Sequence, residues 1–326
     1  MTCFRAKSFS FQAMVLISAE HIMMDQNVSR SVAQRILQTL CKRCQLLRIS
    51  KGKYIYQHCY PENIPPSLFP WWGSKRKLCL EIASIVKHYM LQTNSTHIIS
   101  LFAGSAIVEK VLMNIGVPVK LFDLDKNICN IHSILAKNKN ALMKCFMESY
   151  KTLKTHRDRN LYYKTILRNK TLDTEAKMNV QTAANWLLGT KLSFHGKLNK
   201  SSSLVMHKID KMQTHRVVHA ISKSIGSKCS YANAFDVLKN IPDDALVFLD
   251  PPYLLKANEG QYHAGDFGVE QHKTLADLLK GKKFILCHRE CPTMRNIYKD
   301  NVILKLPPIM KLNRVGASRS EMLILG

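Results

Sequence analysis

Apolar and polar positions alternate along the chain with two different periods. Short apolar runs are typical of buried strands, and they lie at residues 98–102, 117–122, 245–249, 283–287 and 320–325. Between them, apolar residues recur at helical spacing, over residues 75–91, 107–114, a segment that begins near Asn127, and 274–279. Strands that alternate with helices are typical of a parallel sheet covered by helices. The pattern therefore predicts an α/β fold.

Residues 9–57 follow a different pattern. Apolar residues first recur at helical spacing, from Phe11 and again after Ser29. Two short apolar runs at residues 46–49 and 54–56 then flank a basic turn that contains Gly52, which predicts a β-hairpin. Helices followed by a hairpin resemble a winged helix-turn-helix module that binds DNA. A small helical module that contacts only proteins has the same pattern, so both interpretations remain open.

A cluster of prolines marks the expected boundary after this module, at Pro61, Pro65 and Pro66. We therefore expect an N-terminal module over residues 1–60 and an α/β domain over residues 61–326. A chain of 326 residues is long enough for both. Residues 138–228 interrupt the α/β pattern with a helical, polar segment, which we expect to be an insert within the second domain.

Positive charge is in excess and unevenly distributed. The chain has 48 Lys and Arg against 23 Asp and Glu, a net charge of +25. Within residues 138–228 there are 18 basic residues and 5 acidic ones, so the insert carries about half of the surplus. Such an excess indicates a polyanionic partner. No apolar run approaches the roughly 20 residues that span a bilayer, so we do not expect an integral membrane protein.

The ten cysteines are scattered and do not form the dense framework of small secreted proteins, which favours a reducing cytoplasm. The apolar patch after Arg5 and Lys7 is too short and interrupted for a typical secretory signal. A structural zinc site is an alternative role for some of these cysteines. Such a site needs four converging ligands, and the candidates are Cys41, Cys44, His58 and Cys59. Their helical context favours ordinary packing.

The most informative segment is the apolar run 245–249, which ends in Asp250-Pro251-Pro252-Tyr253. Two prolines cannot continue a central strand, so the chain must turn rigidly here. Ligands bind at the carboxyl ends of parallel strands, which places an acid, stiff carbonyls and an aromatic ring at the expected site. A carboxylate and a carbonyl can accept both hydrogens of adenine's weakly nucleophilic amino group and align its lone pair. Tyr253 offers a face on which a flipped base can stack.

Two further groups of residues suit a nucleoside cofactor. Gly104 follows the first strand, where a small residue lets the backbone approach a ligand. Asp123 and Asp125 follow the second strand about twenty residues later, where a carboxylate can bind ribose hydroxyls. Of these two we favour Asp123.

Together these motifs, in this order, resemble the DNA adenine methylase family over residues 68–326. The matching segments are Trp71–Lys75, Phe102–Ala106, Asp123–Asp125, Phe235-Asp236 and Asp250–Tyr253, with further similarity at Leu161–Asn199, Tyr262, His272, Arg319 and Glu321. The resemblance implies a Rossmann-like methyltransferase core with an inserted helical target-recognition segment. It differs at Ser100, where relatives often have an acid, and at Ala106, where they often have a glycine.

The resemblance also implies roles for individual residues. S-adenosylmethionine (SAM) is the implied cofactor, bound by Trp71, Gly73, Lys75, Phe102, Gly104, Asp123 and Asp236, the last at its adenine ring. Catalysis is implied for the segment Asp250, Pro251, Pro252 and Tyr253. No metal is expected, because the sulfonium of SAM already activates the methyl group.

The expected function is transfer of a methyl group from SAM to the 6-amino group of adenine in double-stranded DNA. We expect a cytoplasmic enzyme of a bacterium, archaeon or phage that acts as a monomer, with a restriction endonuclease as a candidate partner. Alternatives are methylation of RNA adenine or of cytosine's amino group, and a regulator that binds DNA but has lost catalysis.

Overall fold

The computed structural model describes residues 29, 46–50, 53–56, 64–71, 73–169, 171, 177–194, 198, 202–254, 267–306 and 320–326. Within residues 1–60, strands β1 (Leu46–Ser50) and β2 (Lys53–Tyr56) pair in antiparallel orientation. This confirms the predicted hairpin. The helices predicted before it lie outside the described residues, as do the cysteines considered as zinc ligands, so the winged-helix interpretation stays a prediction.

A mixed sheet of seven strands forms the centre of the remaining chain. Its strands are β3 (His97–Leu101), β4 (Val119–Asp123), β5 (Cys229–Tyr231), β6 (Ala245–Leu249), β7 (Phe284–Arg289), β8 (Val302–Lys305) and β9 (Glu321–Leu325). They lie in the order β5-β4-β3-β6-β7-β9-β8. The first five strands in this order, β5, β4, β3, β6 and β7, are mutually parallel, whereas β9 is antiparallel to both of its neighbours. The parallel part is the doubly wound arrangement, so the α/β prediction is confirmed.

Helices flank the sheet and form the insert. Those next to the sheet are α1 (Cys79–Gln92), α2 (Ile107–Asn114), α3 (Lys126–Lys137), α9 (Ala234–Leu238), α10 (Val269–Leu279) and α11 (Pro292–Ile297). Those of the insert are α4 (Lys139–Thr155), α5 (Arg159–Tyr162), α6 (Val180–Leu192), α7 (His207–Asp210) and α8 (Thr214–Lys223), with a π-helical turn at Tyr163–Asn169. No helix within the described residues is long and apolar enough to cross a membrane.

Successive side chains of the central strands point to opposite faces of the sheet and form a hydrophobic layer on each face. In β6, Leu246 and Phe248 pack with α1 and α2 on one face, and Val247 and Leu249 pack with α10 on the other. Every residue of β6 is buried. Since successive side chains of a strand point to opposite faces, a continuous apolar run is what a strand buried on both faces requires. The carboxyl end of this strand is thereby fixed in position.

The insert shares a second hydrophobic cluster with α3, and in this cluster α4 packs against α6 around buried Phe146 and Trp186. Asn138 and Asn179 begin these two helices, and each side chain accepts a hydrogen bond from a backbone N–H of the first turn. Asparagine is a preferred residue at this position because it satisfies an otherwise unpaired donor. The described part of the insert is therefore a packed helical unit, and the basic residues of its described helices are carried on that unit.

Candidate active site

The strand order reverses between β3 and β6, which are adjacent and parallel in register. Leu101 and Leu249 are partners at their carboxyl ends. The chain leaves β3 toward one side of the sheet and β6 toward the other, which opens a crevice where doubly wound proteins bind ligands. The loops that follow these two strands, Phe102–Ala106 and Asp250–Leu254, therefore face one another across the crevice.

The Phe102–Ala106 loop has an unusual backbone. Three of its residues have positive φ: 60° at Phe102, 47° at Gly104 and 49° at Ala106. A Cβ atom added at Gly104 would lie 2.5 Å from Nε1 of Trp71. Glycine is thus required at position 104 both for its backbone conformation and for its close contact with the indole. We call this segment the glycine loop.

Two side chains hold the glycine loop through the backbone of Gly104. The N–H of Gly104 donates to Oδ2 of Asp123 at 2.9 Å, and its carbonyl accepts from Nε2 of His132 at 2.9 Å. Burial raises the pKa of the Asp123 carboxyl to about 6 and lowers the pKa of His132 to about 3. A carbonyl only accepts hydrogen bonds, so the neutral His132 carries its proton on Nε2.

The two aspartates that compete for the ribose position have different surroundings. Asp123 lines the crevice. Asp125 instead caps α3, because its carboxylate accepts from the N–H of Asn127 at 2.8 Å. The N–H of Asp125 also donates to Oδ1 of Asp123 at 2.9 Å. The geometry therefore supports Asp123 as the cavity residue, in line with the preference from the sequence.

The carboxylate of Asp250 forms a close ion pair with Lys75. The Lys75 Nζ atom lies 2.6 Å from each carboxylate oxygen and 2.7 Å from the Gly73 carbonyl, and this lysine is only 6% exposed. Burial raises the pKa of Asp250, while the neighbouring ammonium opposes that change. Burial lowers the pKa of Lys75, but Asp250 and Glu321 more than offset this and leave it above its usual value. The ammonium thus favours the ionised form of Asp250.

Tyr253 is held in the same cluster. Its hydroxyl donates to Oε2 of Glu321 at 2.5 Å, and the Lys75 Nζ atom lies 4.8 Å from the centre of its ring. On another side, the ring centre of His288 is 4.7 Å away. Tyr253 is therefore largely enclosed, at 8% exposure. The described structure thus presents Tyr253 as a buried ring beside the carboxylate, with Lys75 lying over it.

One cavity brings together all but one of the site residues predicted from the sequence. Its lining includes Trp71, Gly73, Lys75, Phe102, Gly104, Asp123 and the segment Asp250–Tyr253. These residues lie up to about 180 positions apart in the chain, and the crevice between β3 and β6 joins them. The exception is Asp236, which does not line the cavity. Its side chain is 68% exposed and pairs with Lys239 at 2.7 Å.

Aromatic side chains line the cavity beside the Phe235-Asp236 segment, of which the resemblance had given a cofactor role only to Asp236. Phe235 lines the cavity and stacks on Phe267 with 6.0 Å between ring centres, and Phe267 also contacts Phe102 edge to face at 5.5 Å. The sequence carried no signal for Phe267, because this residue belongs to no motif and reaches the site only through the fold.

A buried acid was also missed. Glu109 of α2 lines the cavity, and its Oε1 accepts from the Ser100 hydroxyl at 2.5 Å. Burial raises the pKa of Glu109 to about 7. Ser100 has no carboxylate of its own but binds one from the next helix. An acidic residue in the apolar helix 107–114 was the available signal.

Comparison with known proteins agrees with this geometry. A protein-family model described as D12 class N6 adenine-specific DNA methyltransferase matches residues 71–312, which contain every residue of the cavity named above. A search of the curated proteins finds no match. Because the family model covers well over half of the chain, the chain belongs to the D12 class of N6 adenine-specific DNA methyltransferases, enzymes that methylate the 6-amino group of adenine in DNA.

Proposed function

We propose that the cavity between the glycine loop and Asp250–Tyr253 binds SAM and a flipped-out adenine together. The observation that carries this proposal is the single cavity shared by Gly104 and Asp250. The glycine loop, which suits binding of a cofactor, and the Asp250 carboxylate, which suits binding of an amine, thus line the same cavity. Enzymes of this family generally use SAM as methyl donor.

The residues of the cavity fit this cofactor. Gly104 and the Trp71 indole packed against it line the cavity, and Phe235 and Phe267 supply aromatic faces for a nucleoside base. Asp123 is placed to accept hydrogen bonds from ribose hydroxyls, and the Lys75 ammonium is a partner for the cofactor's carboxylate. When bound, SAM supplies a methyl group already activated by its sulfonium. Asp236 does not line the cavity and pairs with Lys239, so its implied role stays a prediction.

Asp250 and the Pro251 carbonyl act on the target amine. Adenine's amino nitrogen is a weak nucleophile because its lone pair is delocalised into the ring. Two acceptors that bind both amino hydrogens favour the pyramidal nitrogen and orient its lone pair. The Lys75 ammonium favours the ionised form of Asp250 that this task needs, and the two prolines hold the acceptors in a fixed relation.

Tyr253 contributes its ring to the base. A duplex base must leave the stack to reach the cavity, and an aromatic face stabilises it there. In the described structure the Lys75 ammonium covers part of the Tyr253 ring. We therefore propose that Lys75 moves off this ring when the base enters, while Glu321 holds the phenol hydroxyl.

The helical insert supplies the contacts to DNA. Its basic surplus lies on a folded unit joined directly to the α/β core through α3 and α4. Contacts to phosphates release counterions, so we expect affinity for duplex DNA to fall steeply with salt. Contacts to base edges from the same unit would select the target sequence.

The test is transfer of labelled methyl from SAM to duplex DNA, followed by nucleoside analysis. We expect label in N6-methyladenine with the parent protein. The variant Asp250→Asn keeps an oxygen for Lys75 but loses the charge, and we expect a rate at least about 100-fold lower. Label that enters DNA equally well with Asp250→Asn would overturn the assignment of this residue. A parent that binds DNA but neither binds SAM nor transfers label would favour an inactive regulator.

A further inference from the structure

Two buried histidines bond to the backbone on either side of Tyr253. The Nε2 atom of His272, on α10, lies 3.1 Å from the Pro252 carbonyl oxygen. The Nε2 atom of His288, on β7, lies 3.1 Å from the backbone nitrogen of Leu254. Both imidazoles are fully buried. Side chains from α10 and β7 thus form hydrogen bonds with the peptide groups that precede and follow Tyr253.

The partners of the two rings fix their protons. Nδ1 of His288 lies 2.6 Å from the Arg289 carbonyl, which only accepts, so Nδ1 carries the proton and Nε2 accepts from the Leu254 N–H. His272 has the opposite arrangement, because its Nε2 must donate to the Pro252 carbonyl. Its Nδ1 is then an acceptor, buried without a partner among the described residues. One histidine donates to the segment and the other accepts from it.

Both rings are neutral under ordinary conditions. Burial lowers the pKa of His272 to about 4 and that of His288 to about 3. They also pack together, with ring centres 5.1 Å apart and nearly perpendicular planes, and His288 supports the ring of Tyr253. Neither ring lines the cavity, so neither is placed to contact cofactor or base.

The prolines explain why side chains are needed here. Pro251 and Pro252 have no N–H, so this stretch donates fewer hydrogen bonds than an ordinary loop. An apolar residue at position 272 or 288 would fill the same space without burying polar ring atoms, one of which, Nδ1 of His272, has no partner among the described residues. Burying polar rings, one of them incompletely satisfied, costs stability. That cost is offset if the rings define where the catalytic segment lies.

We propose that His272 and His288 are positioning residues that hold Pro252–Leu254, and thereby set the placement of Asp250 and Tyr253 against the target amine. This inference rests on the proposed function of the segment. It assigns to α10 and β7 a role in turnover beyond packing, although neither histidine touches a reacting atom.

The test compares two substitutions at each position. His272→Leu and His288→Leu remove the hydrogen bond, whereas His272→Gln and His288→Gln keep a donor or acceptor near the place of Nε2. We expect kcat to fall about 10- to 100-fold in the leucine variants, because a small misplacement of catalytic groups has effects of this size. The KM for SAM should change less than about threefold. The glutamine variants should recover most of the rate.

A matched control separates positioning from loss of stability. Tyr298 directly follows α11, and its ring is buried in the hydrophobic layer that includes Leu275 and Leu279 of α10. It does not line the cavity. Tyr298→Leu should lower thermal stability without lowering kcat of the folded protein. If the leucine variants at 272 and 288 behave like Tyr298→Leu, or if the glutamine variants are as slow as the leucine variants, the positioning role is wrong.

A readout independent of activity completes the test. In His288→Leu the Leu254 amide loses its acceptor, so its hydrogen exchange should accelerate at least about tenfold, while in Tyr298→Leu it should not. Unchanged exchange at Leu254 would contradict the inference even in a fully active enzyme. Failure of the parent to methylate adenine would instead contradict the proposed function and leave this structural measurement valid.

Discussion

The glycine loop and the Asp250–Leu254 segment follow neighbouring strands, but they present different groups to the cavity. The glycine loop has three positive φ angles, lacks a side chain where the Trp71 indole packs against Gly104, and lines the cavity. The Asp250–Leu254 segment uses prolines for stiffness and presents side chains and carbonyls. Both are held by buried histidines that bond to their carbonyls, His132 at Gly104 and His272 at Pro252.

This difference indicates a division of labour. A loop that exposes its backbone suits binding of a cofactor, and a segment that presents acceptors suits chemistry on the target amine. If the division is real, substitutions in the glycine loop should act on cofactor affinity, and substitutions at Asp250–Leu254 should act on the rate.

The largest effect is expected for Gly104→Ala. A methyl group there would meet Trp71 at 2.5 Å and would adopt a strained φ, so SAM affinity should fall about 100-fold or more. Gly116→Ala is the matched control, because Gly116 also has positive φ, at 80°, but nothing lies within 4 Å of its added Cβ. Calorimetric titration with SAM checks both variants. Equal affinities in the two variants would show that strain, and not the cavity, explains any loss.

A smaller effect concerns the histidine that holds the glycine loop. The folded-state pKa of His132, about 3, lies below the ordinary value of 6.5. The unfolded chain therefore binds this proton first as pH falls, and the folded state loses stability between pH 7 and pH 5. Relative to His132→Gln, which keeps a donor but does not titrate, the parent should lose about 2 kcal/mol over this interval. Denaturant unfolding at both pH values measures it, and parallel pH profiles would contradict the buried, neutral ring.

The smallest effect is expected at Ala106. This alanine begins α2 with φ of 49°, a conformation that glycine adopts without strain. Ala106→Gly should raise the free energy of unfolding by about 0.5–1 kcal/mol. At Ala276, in the middle of α10, the same substitution should lower it by about 1 kcal/mol. A loss of stability at both positions would argue against a strained glycine loop.

Much of the fold followed from local pattern. The strand 245–249 and the helix 107–114 agree with the structure at both ends, because each is an uninterrupted periodic run between clear turn residues. Strand β8 and helix α11 were not predicted, since β8 has only four residues and α11 buries only Met294, so neither shows a clear apolar pattern. The antiparallel direction of β9 was also beyond local pattern, because it depends on how the chain returns after β8.

The residues of the site also differ in whether the sequence could predict them. Residues in compact motifs, such as Gly104 and Asp250, could be named because each follows a strand. Phe267 and His288 could not, because only long-range packing brings them to the crevice or behind it. Glu109 had a local signal, an acid within an apolar helix, but that signal does not specify a role. Sequence reasoning also assigned Asp236 to the cofactor, whereas the described structure pairs it with Lys239. The N-terminal DNA-binding module, the monomeric state and a restriction endonuclease partner stay predictions.

The division of labour between the two loops is tested most directly by measuring SAM affinity and the single-turnover methylation rate side by side in Gly104→Ala and Asp250→Asn. We expect Gly104→Ala to weaken affinity while the rate at saturating SAM stays within about tenfold of the parent. Asp250→Asn should bind SAM within about threefold of the parent and methylate at least about 100-fold more slowly. If both variants change the same quantity, or if each changes the one assigned to the other, the account is contradicted.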